Sequence, residues 1–181
     1  LEEAMGGSQE IYLVAQREIA DDDPVSGQLY GMGTVAQVRQ VLRLPNDTVR
    51  ILVEGKFRAQ VAEWEQEEPF FQGRIESVPE AHYSAGATRT KAPVHQYRQL
   101  VEELMELLPK SVQEGMLQAF SADDVSYLAD FAGQHVSFSV EDKQRILETL
   151  HPVKRLSLVN GLLAKEIEVL RLEGEIQEKV Q

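Results

Sequence analysis

The spacing of apolar residues changes once along this 181-residue chain, and the change separates a strand-forming half from a helix-forming half. Between Glu10 and Glu80 the apolar residues favour a period of two, which is typical of strands. Beyond Pro93 they recur at spacings of three and four, which is typical of amphipathic helices. Small polar residues between the halves indicate a linker. The pattern predicts an α+β chain with a β-rich subdomain at 1–85, a helical subdomain at 86–151 and a long helix at 152–181.

Roughly five short strands are predicted in the first half from alternating apolar residues. Residues 11–14 form a short apolar run, and the segments 49–54 and 57–61 are interpreted as two separate strands. The sequence Pro45-Asn46-Asp47 predicts a hairpin turn before the first of these two. We expect antiparallel neighbours that close into a small barrel or sandwich, because closure protects strand edges.

Four short helices are predicted in the second half, the first opening near Pro93 and ending at Pro109. Capping patterns, in which a serine is followed three residues later by an acidic residue, predict further helix starts at Ser111, Ser121 and Ser139. The helix that starts at Ser111 would bury an apolar face made of Val112, Met116, Leu117 and Phe120.

The last helix, opened by Pro152, is too long for its own subdomain. Roughly thirty helical residues span about 45 Å. This length exceeds what a small four-helix subdomain, here called the cap, can cover. We expect one part to dock on the cap and another to pair with a neighbouring copy or a downstream segment, although the helix folding back on its own chain is the plainer alternative. The apolar residues expected to make these contacts are Leu163, Ile167, Leu170, Ile176 and Val180.

The charge balance restricts the classes of partner. Thirty acidic against eighteen basic side chains give a formal charge of -12, which repels nucleic acid. The absence of cysteine excludes disulfides, thiol catalysis and cysteine-ligated metal centres. The chain has no apolar run of membrane-spanning length and no signal peptide at Leu1, so we expect a soluble, unsecreted protein without a membrane partner. Because it begins without methionine and ends inside a helical pattern, we also expect it to be a piece of a longer protein.

The motifs of common enzymes are absent from the sequence. Gly55-Lys56 is followed by Phe57 rather than the serine or threonine of a phosphate-binding loop. The histidines do not have metal-ligand spacing, and no serine lies in a nucleophile elbow. The sequence therefore predicts no catalytic residue, no metal site and no cofactor in this chain.

Apolar residues flank two acidic stretches, at 21–23 and 63–68. One interpretation is an exposed patch that grips unfolded polypeptide, since such chains are recognised by their hydrophobic content. The other is that these residues plug the ends of the barrel, which is the favoured reading for any one of them alone. The candidate binding residues are Pro24, Tyr30, Met32, Trp64, Phe70 and Phe71.

Short fragments along nearly the whole chain occur in an order that resembles a known family. The fragments lie at 1–5, 13–16, 23–24, 29–30, 33–36, 44–46, 49–55, 58–59, 128–130, 143–144, 147–148, 155–156 and 165–167. In this order and spacing they resemble the N-terminal domain of Lon, the ATP-dependent AAA+ protease, from Leu1 to Gln181. Three departures stand out. Lys56 replaces an aliphatic residue, Asn46-Asp47 occupies a turn that is often Asp-Gly, and we expect the family's opening strand to be missing before Leu1.

The resemblance implies a non-catalytic module that recognises damaged or unfolded proteins and helps to assemble a hexamer in the cytoplasm. It places ATP and magnesium in an ATPase module, and the Ser-Lys peptidase site in a protease domain, neither of which is present in these 181 residues. The alternative from another class is a free-standing domain of the same barrel fold that binds a small ligand.

Overall fold

A computed structural model describes residues 1–117 and 121–180, so the predicted core residue Phe120 lies outside the described residues. The chain divides into two compact units, Leu1–Pro79 and Glu80–Gln181. The first unit contains the strands and one short helix, and the second contains the longer helices. The helix at 152–180, which the sequence analysis set apart as a third segment, lies in the second unit.

The first unit is built on an antiparallel sheet. A short helix, α1 (Glu2–Met5), precedes the strands β1 (Glu10–Leu13), β2 (Met32–Arg43), β3 (Val49–Gln66) and β4 (Gln72–Ser77). The strands pair in the order β1-β2-β3-β4, so each strand lies beside its neighbour in sequence. Together with the helices that follow, this arrangement confirms the predicted α+β class.

Strand β3 corrects the prediction of two separate strands at 49–54 and 57–61. It is one continuous strand of 18 residues. Val35 of β2 pairs with Phe57 and Ala36 pairs with Gly55, so Lys56 is an extra residue that forms a β-bulge. A bulge shifts the side-chain alternation by one residue, so the apolar pattern changes phase at this point without a break in the strand. The described residues therefore form four strands rather than roughly five.

The hairpin turn predicted at Pro45-Asn46-Asp47 is confirmed. Strand β2 ends at Arg43 and β3 begins at Val49, and the Leu44 amide donates to the Thr48 carbonyl oxygen over 2.8 Å. Asp47 has a φ of 56°, a left-handed conformation that aspartate tolerates better than most side chains.

The second unit contains five helices among its described residues. They are α2 (Thr88–Glu106), α3 (Lys110–Met116), α4 (Val125–His135), α5 (Val140–Glu148) and α6 (Pro152–Val180). Helix α2 begins at Thr88, before the predicted start, and Pro93 lies inside it. There the Asn160 side chain of α6 donates to the Pro93 carbonyl oxygen over 3.0 Å.

Of the three predicted capping serines, Ser139 is confirmed in that role. Ser139 accepts a hydrogen bond from the Asp142 amide over 3.1 Å at the start of α5, as predicted. Helix α4 is capped instead by Asp124, which accepts from the Ser126 amide. Helix α3 follows Pro109 without a side-chain cap, so Ser111 lies within the helix.

The core of the second unit lies between α2, α4 and the first half of α6. Its most deeply buried large side chains come from all three helices: Tyr97, Val101, Leu104, Leu128, Leu156, Val159 and Leu163 are each at most 1 % exposed. The period read from the sequence thus places the apolar faces of these helices against one another.

Candidate functional site

The six candidate binding residues lie at one end of the sheet. Neighbouring strands of this antiparallel sheet run in opposite directions. The last residues of β1 and β3 and the first residues of β2 and β4 therefore lie at the same end of the sheet. The connections at 14–31 and 67–71 therefore both lie there, and we call this region the loop end. Pro24 and Tyr30 lie in the first connection and Phe70 and Phe71 in the second, while Met32 opens β2 and Trp64 lies near the end of β3.

A hydrogen bond joins the two connections of the loop end. The Ser26 amide, in a short 3-10 turn, donates to Oε1 of Glu67 over 2.9 Å. Hydrogen bonds from Ser26 to the carboxylate lower the pKa of Glu67, since they stabilise its charged form. The first connection is also held to β3, because the Val61 amide donates to the Gly31 carbonyl oxygen over 3.4 Å.

Tyr12 of β1 anchors the loop end from inside, a role that the sequence analysis missed. Its hydroxyl lies 3.3 Å from the Gly31 carbonyl oxygen and 3.2 Å from that of Ala59. Burial raises the pKa of Tyr12, so the hydroxyl keeps the proton that it donates to these carbonyls. The only available signal in the sequence was an aromatic residue with a polar tip in an otherwise aliphatic run.

Trp64 and Phe71 form an aromatic pair at the loop end. Their ring centroids are 5.4 Å apart and the ring planes are inclined by 57°. Gly73 of β4 is paired with Trp64 and leaves room for the indole, because a Cβ atom at Gly73 would lie 3.1 Å from Cε3 of Trp64. Phe70 precedes Phe71 on the same connection. Its carbonyl oxygen accepts a hydrogen bond from the Gln66 side chain over 2.9 Å.

Exposure differs among the six candidate residues. Phe70 is 42 % exposed and Phe71 is 38 % exposed, whereas the other four are half-buried. The Arg17 guanidinium lies 4.7 Å from the ring centroid of Tyr30 and covers part of that ring. None of the six is fully interior. Ile19 and Val25 on the first connection are also exposed, so both connections contribute apolar surface to the loop end, the second through Phe70 and Phe71.

Acidic side chains lie in the same segments as these apolar residues. Asp22, Asp23, Glu65 and Glu68 are exposed, while Asp21 is half-buried and accepts a hydrogen bond from the Gln28 side chain over 3.0 Å. Segments of this composition offer hydrophobic contact together with negative charge.

A second exposed apolar region lies at the opposite end of the sheet, and the sequence analysis did not single it out. In the hairpin of β2 and β3, Leu42 is 51 % exposed, Ile51 is 37 % exposed and Leu52 is 60 % exposed. The available signal was the run of apolar residues at 51–53, because consecutive apolar residues on a strand face opposite sides.

The five apolar residues proposed for the long helix divide between its two halves. Leu163 and Ile167 are buried in the core of their own unit, which assigns them to intramolecular packing. Leu170 is half-buried at the margin of that core. Ile176 is 62 % exposed and Val180 is 82 % exposed, and the exposed Val169 and Leu172 continue the same stripe.

Residues 1–117 and 121–180 contain neither a helix suited to span a membrane nor a cluster of potential metal ligands. No helix there combines the length and apolar character needed to cross a bilayer. No group of three or more histidine, aspartate or glutamate side chains in that part of the chain is arranged to hold a metal ion.

Residues 1–165 match the family of the substrate-binding domain of the ATP-dependent protease La (LON). Two similar proteins are both called Lon protease. That of Desulforamulus reducens is 34 % identical over the whole chain, and that of Brevibacillus choshinensis is 35 % identical over the whole chain. The chain spans 22 % of the first relative and 23 % of the second, or about a fifth of their length.

Two solved structures share the fold. The N-terminal domain of Mycobacterium avium complex Lon protease has a TM-score of 0.64 at 19 % identity, and the alignment covers 87 % of this chain and 90 % of that one. A Lon N-terminal domain protein from Xanthomonas campestris has a TM-score of 0.52 at 11 % identity, with coverage of 87 % and 89 %. The family match covers 165 residues, and the similarity to Lon proteases covers the whole of this chain. This chain therefore belongs to the Lon substrate-binding domain family.

Proposed function

We propose that this chain captures unfolded or damaged polypeptides for a Lon-type ATP-dependent protease, and that the loop end is the capturing surface. The observation that carries the proposal is the exposure of Phe70 and Phe71 on a connection fixed by the Trp64 ring. Unfolded chains differ from folded ones chiefly in their exposed apolar side chains. The exposed Phe70 and Phe71 rings therefore bind unfolded chains in preference to folded proteins.

Capture through this surface is weak and selective by charge. Two phenylalanine side chains bury little area, so one domain alone binds with low affinity. Several domains in one hexamer raise the effective concentration of binding surfaces for a long client. The acidic side chains of Asp22, Asp23 and Glu68 disfavour acidic clients and favour basic apolar ones, an effect that salt weakens.

The test is a nuclear magnetic resonance titration of the chain with a permanently unfolded, basic client. We expect the largest shifts at Phe70, Phe71 and Trp64, and a loss of affinity in Phe70→Ser and Phe71→Ser. Leu52→Ser is the matched control, because Leu52 is an exposed apolar residue at the opposite end of the same sheet. Equal losses in all three variants, or no shifts at the loop end, would contradict the assigned surface.

The second half of α6 is the proposed contact for assembly. Val169, Leu172, Ile176 and Val180 are spaced by three, four and four residues, so they form one exposed apolar stripe on the helix. In the parent protein this stripe pairs with a neighbouring copy in the hexamer or with the segment that leads toward the ATPase.

Sedimentation measures the assembly role. We expect the chain to self-associate weakly at high concentration and Ile176→Glu to remain monomeric. The control is Glu175→Gln on the same exposed turn, which leaves the apolar stripe intact. If the chain is strictly monomeric at every concentration, it does not pair with itself through this helix.

The remaining parts of the activity belong to the parent protein. We propose a cytoplasmic Ser-Lys endopeptidase whose ATPase module binds ATP and magnesium, with this chain contributing neither catalysis nor cofactor binding. Full-length similarity to proteins called Lon protease, of which the chain spans about a fifth, favours this reading over a free-standing small-ligand-binding domain. Sequencing the gene beyond the codon for Gln181 tests the choice, since a downstream phosphate-binding loop is expected only for the protease.

A further inference from the structure

The helical unit contains a cleft of about 210 Å³ whose ionisable side chains are mostly basic. Its polar lining comes from two segments that are distant in sequence: His82, Tyr83, Ser84, Arg89 and Thr90 from the first, and His151 and Lys154 from the second. Among the described residues, no aspartate or glutamate lines it. In a chain with a formal charge of -12, a cleft lined by two full cations and two imidazoles departs from the general surface.

The two cations of the cleft have no carboxylate partner within the part of the chain that the structure describes. Elsewhere in the same unit Arg98, Arg145 and Arg171 each lie within 4 Å of an acidic side chain. Arg89 and Lys154 form no such pair among residues 1–117 and 121–180. Their charges are therefore available to an external anion, and no intramolecular pair must break before it binds.

The fold places both cations at the mouth of the same cleft. Arg89 lies in the first turn of α2, and Lys154 lies in the first turn of α6. The Lys154 amide donates to Nδ1 of His151 over 3.5 Å, so these two lining residues are in direct contact. Val153, which is 9 % exposed, gives the cleft an apolar wall that strengthens charge interactions nearby.

We propose that this cleft binds an anion that carries a phosphoryl group, with Arg89 and Lys154 as its main ligands. A guanidinium group donates two parallel hydrogen bonds to a phosphate, and an ammonium group supplies a point charge. The Ser84 hydroxyl and the His151 ring supply further donors. Two full cations suit the dianionic charge of a phosphate monoester better than the single charge of a carboxylate. The site is independent of the loop end, because it lies in the other unit.

The phosphoryl group has two possible sources, a free phosphate compound or a phosphorylated side chain on a polypeptide client. The first experiment titrates the 181-residue chain with inorganic phosphate at constant ionic strength, with chloride as the balancing anion. We expect saturable shifts of the amide signals of Arg89, Val153 and Lys154. Shifts that stay linear with concentration, or that chloride reproduces, would overturn the proposal.

Matched variants localise the binding. Arg89→Gln and Lys154→Gln each remove one cation from the cleft, and we expect each to weaken phosphate binding about tenfold. Lys165→Gln is the control, since it makes the same charge change at an exposed position of the same helix and should leave affinity unchanged. Because all three residues are exposed, circular dichroism should show the same helix content in each variant. An equal loss of affinity in all three would indicate only general electrostatic attraction and would contradict a site.

A second arm separates the two sources. A short phosphoserine peptide is compared with inorganic phosphate and with the unphosphorylated peptide. Tighter binding of the phosphopeptide, with additional shifts beyond the cleft, assigns the site to phosphorylated clients. Equal affinity for phosphate and phosphopeptide assigns it to free phosphate compounds. Equal binding of both peptides, with no response to phosphate, would refute the proposal.

Discussion

Nη1 of Arg155, on α6, lies 2.8 Å from Oε1 of Glu80, at the start of the helical unit. The Arg155 side chain is fully buried, and the same nitrogen lies 3.4 Å from a carboxylate oxygen of Asp130 on α4. Its Nε donates to the Thr149 carbonyl oxygen over 2.8 Å. One buried guanidinium thus connects the start of the helical unit, at Glu80, with α4 and α6. Two carboxylates offset its charge.

Replacing Arg155 with methionine should destabilise the helical unit by about 3 kcal/mol, since it leaves partly buried carboxylates without their cation. Arg145→Met is the control, because Arg145 is exposed and pairs with Asp142 at the surface. That exposed pair is worth at most about 1 kcal/mol. Urea unfolding followed by circular dichroism measures both changes, and equal losses would show that burial of Arg155 contributes nothing specific.

Gly33 cannot accept a side chain without displacement of β1. A Cβ atom at Gly33 would collide with the Leu13 carbonyl oxygen and would lie 2.8 Å from the Tyr12 ring. We expect Gly33→Ala to cost about 1–3 kcal/mol, the usual range for overpacking. Gly31→Ala is the control, since a Cβ atom there meets nothing within 4 Å. Thermal unfolding of both variants checks this, and a fully stable Gly33→Ala would show that β1 moves freely.

The helical unit should lose stability at alkaline pH through Tyr97. Burial, with a smaller contribution from nearby Tyr127, raises the pKa of Tyr97 above its ordinary value of 10.0. The unfolded chain therefore releases this proton first, and the free energy of unfolding falls as the pH rises above 10.0. Urea unfolding across that range should show a smaller fall in Tyr97→Phe, while Tyr127→Phe largely retains it. Identical pH dependence in Tyr97→Phe and the parent chain would contradict the burial argument.

The hydrogen bond between Ser26 and Glu67 should open in acid. Because the pKa of Glu67 is lowered below 4.5, the bond stabilises the loop end above that pH and is lost as the pH falls through the lower folded value. The Ser26 amide signal should therefore shift with a midpoint below 4.5. Glu67→Gln should abolish the transition and Glu65→Gln should preserve it. A midpoint above 4.5 would mean that the carboxylate is not stabilised by Ser26.

Trp64 is the single tryptophan of the chain and reports directly on the loop end. If a client binds Phe70 and Phe71, it reduces the contact of the neighbouring indole with water. We expect a shift of the emission to shorter wavelength on addition of a tryptophan-free unfolded client, and a smaller shift in Phe70→Ser. An unchanged spectrum at saturating client would place capture elsewhere on the molecule.

The sequence determined the features that depend on neighbours along the chain. The change from a period of two to one of 3.6 separated strands from helices, and Pro45-Asn46-Asp47 fixed the hairpin turn. Ser139 with Asp142 correctly marked the start of α5. These signals are local, since side-chain periodicity and turn chemistry act over a few residues. Ordered fragments along the chain likewise indicated the Lon family.

The tertiary structure decided which side chains are covered and which groups meet. The bulge at Lys56 joined two apparent strands into one, and the end of the helical core left Ile176 exposed while Leu163 was buried. Arg155 is buried beside Glu80 and Asp130, two carboxylates that lie far from it in sequence. Burial and charge pairing depend on residues distant in sequence, and the spacing of a single segment carries no record of them.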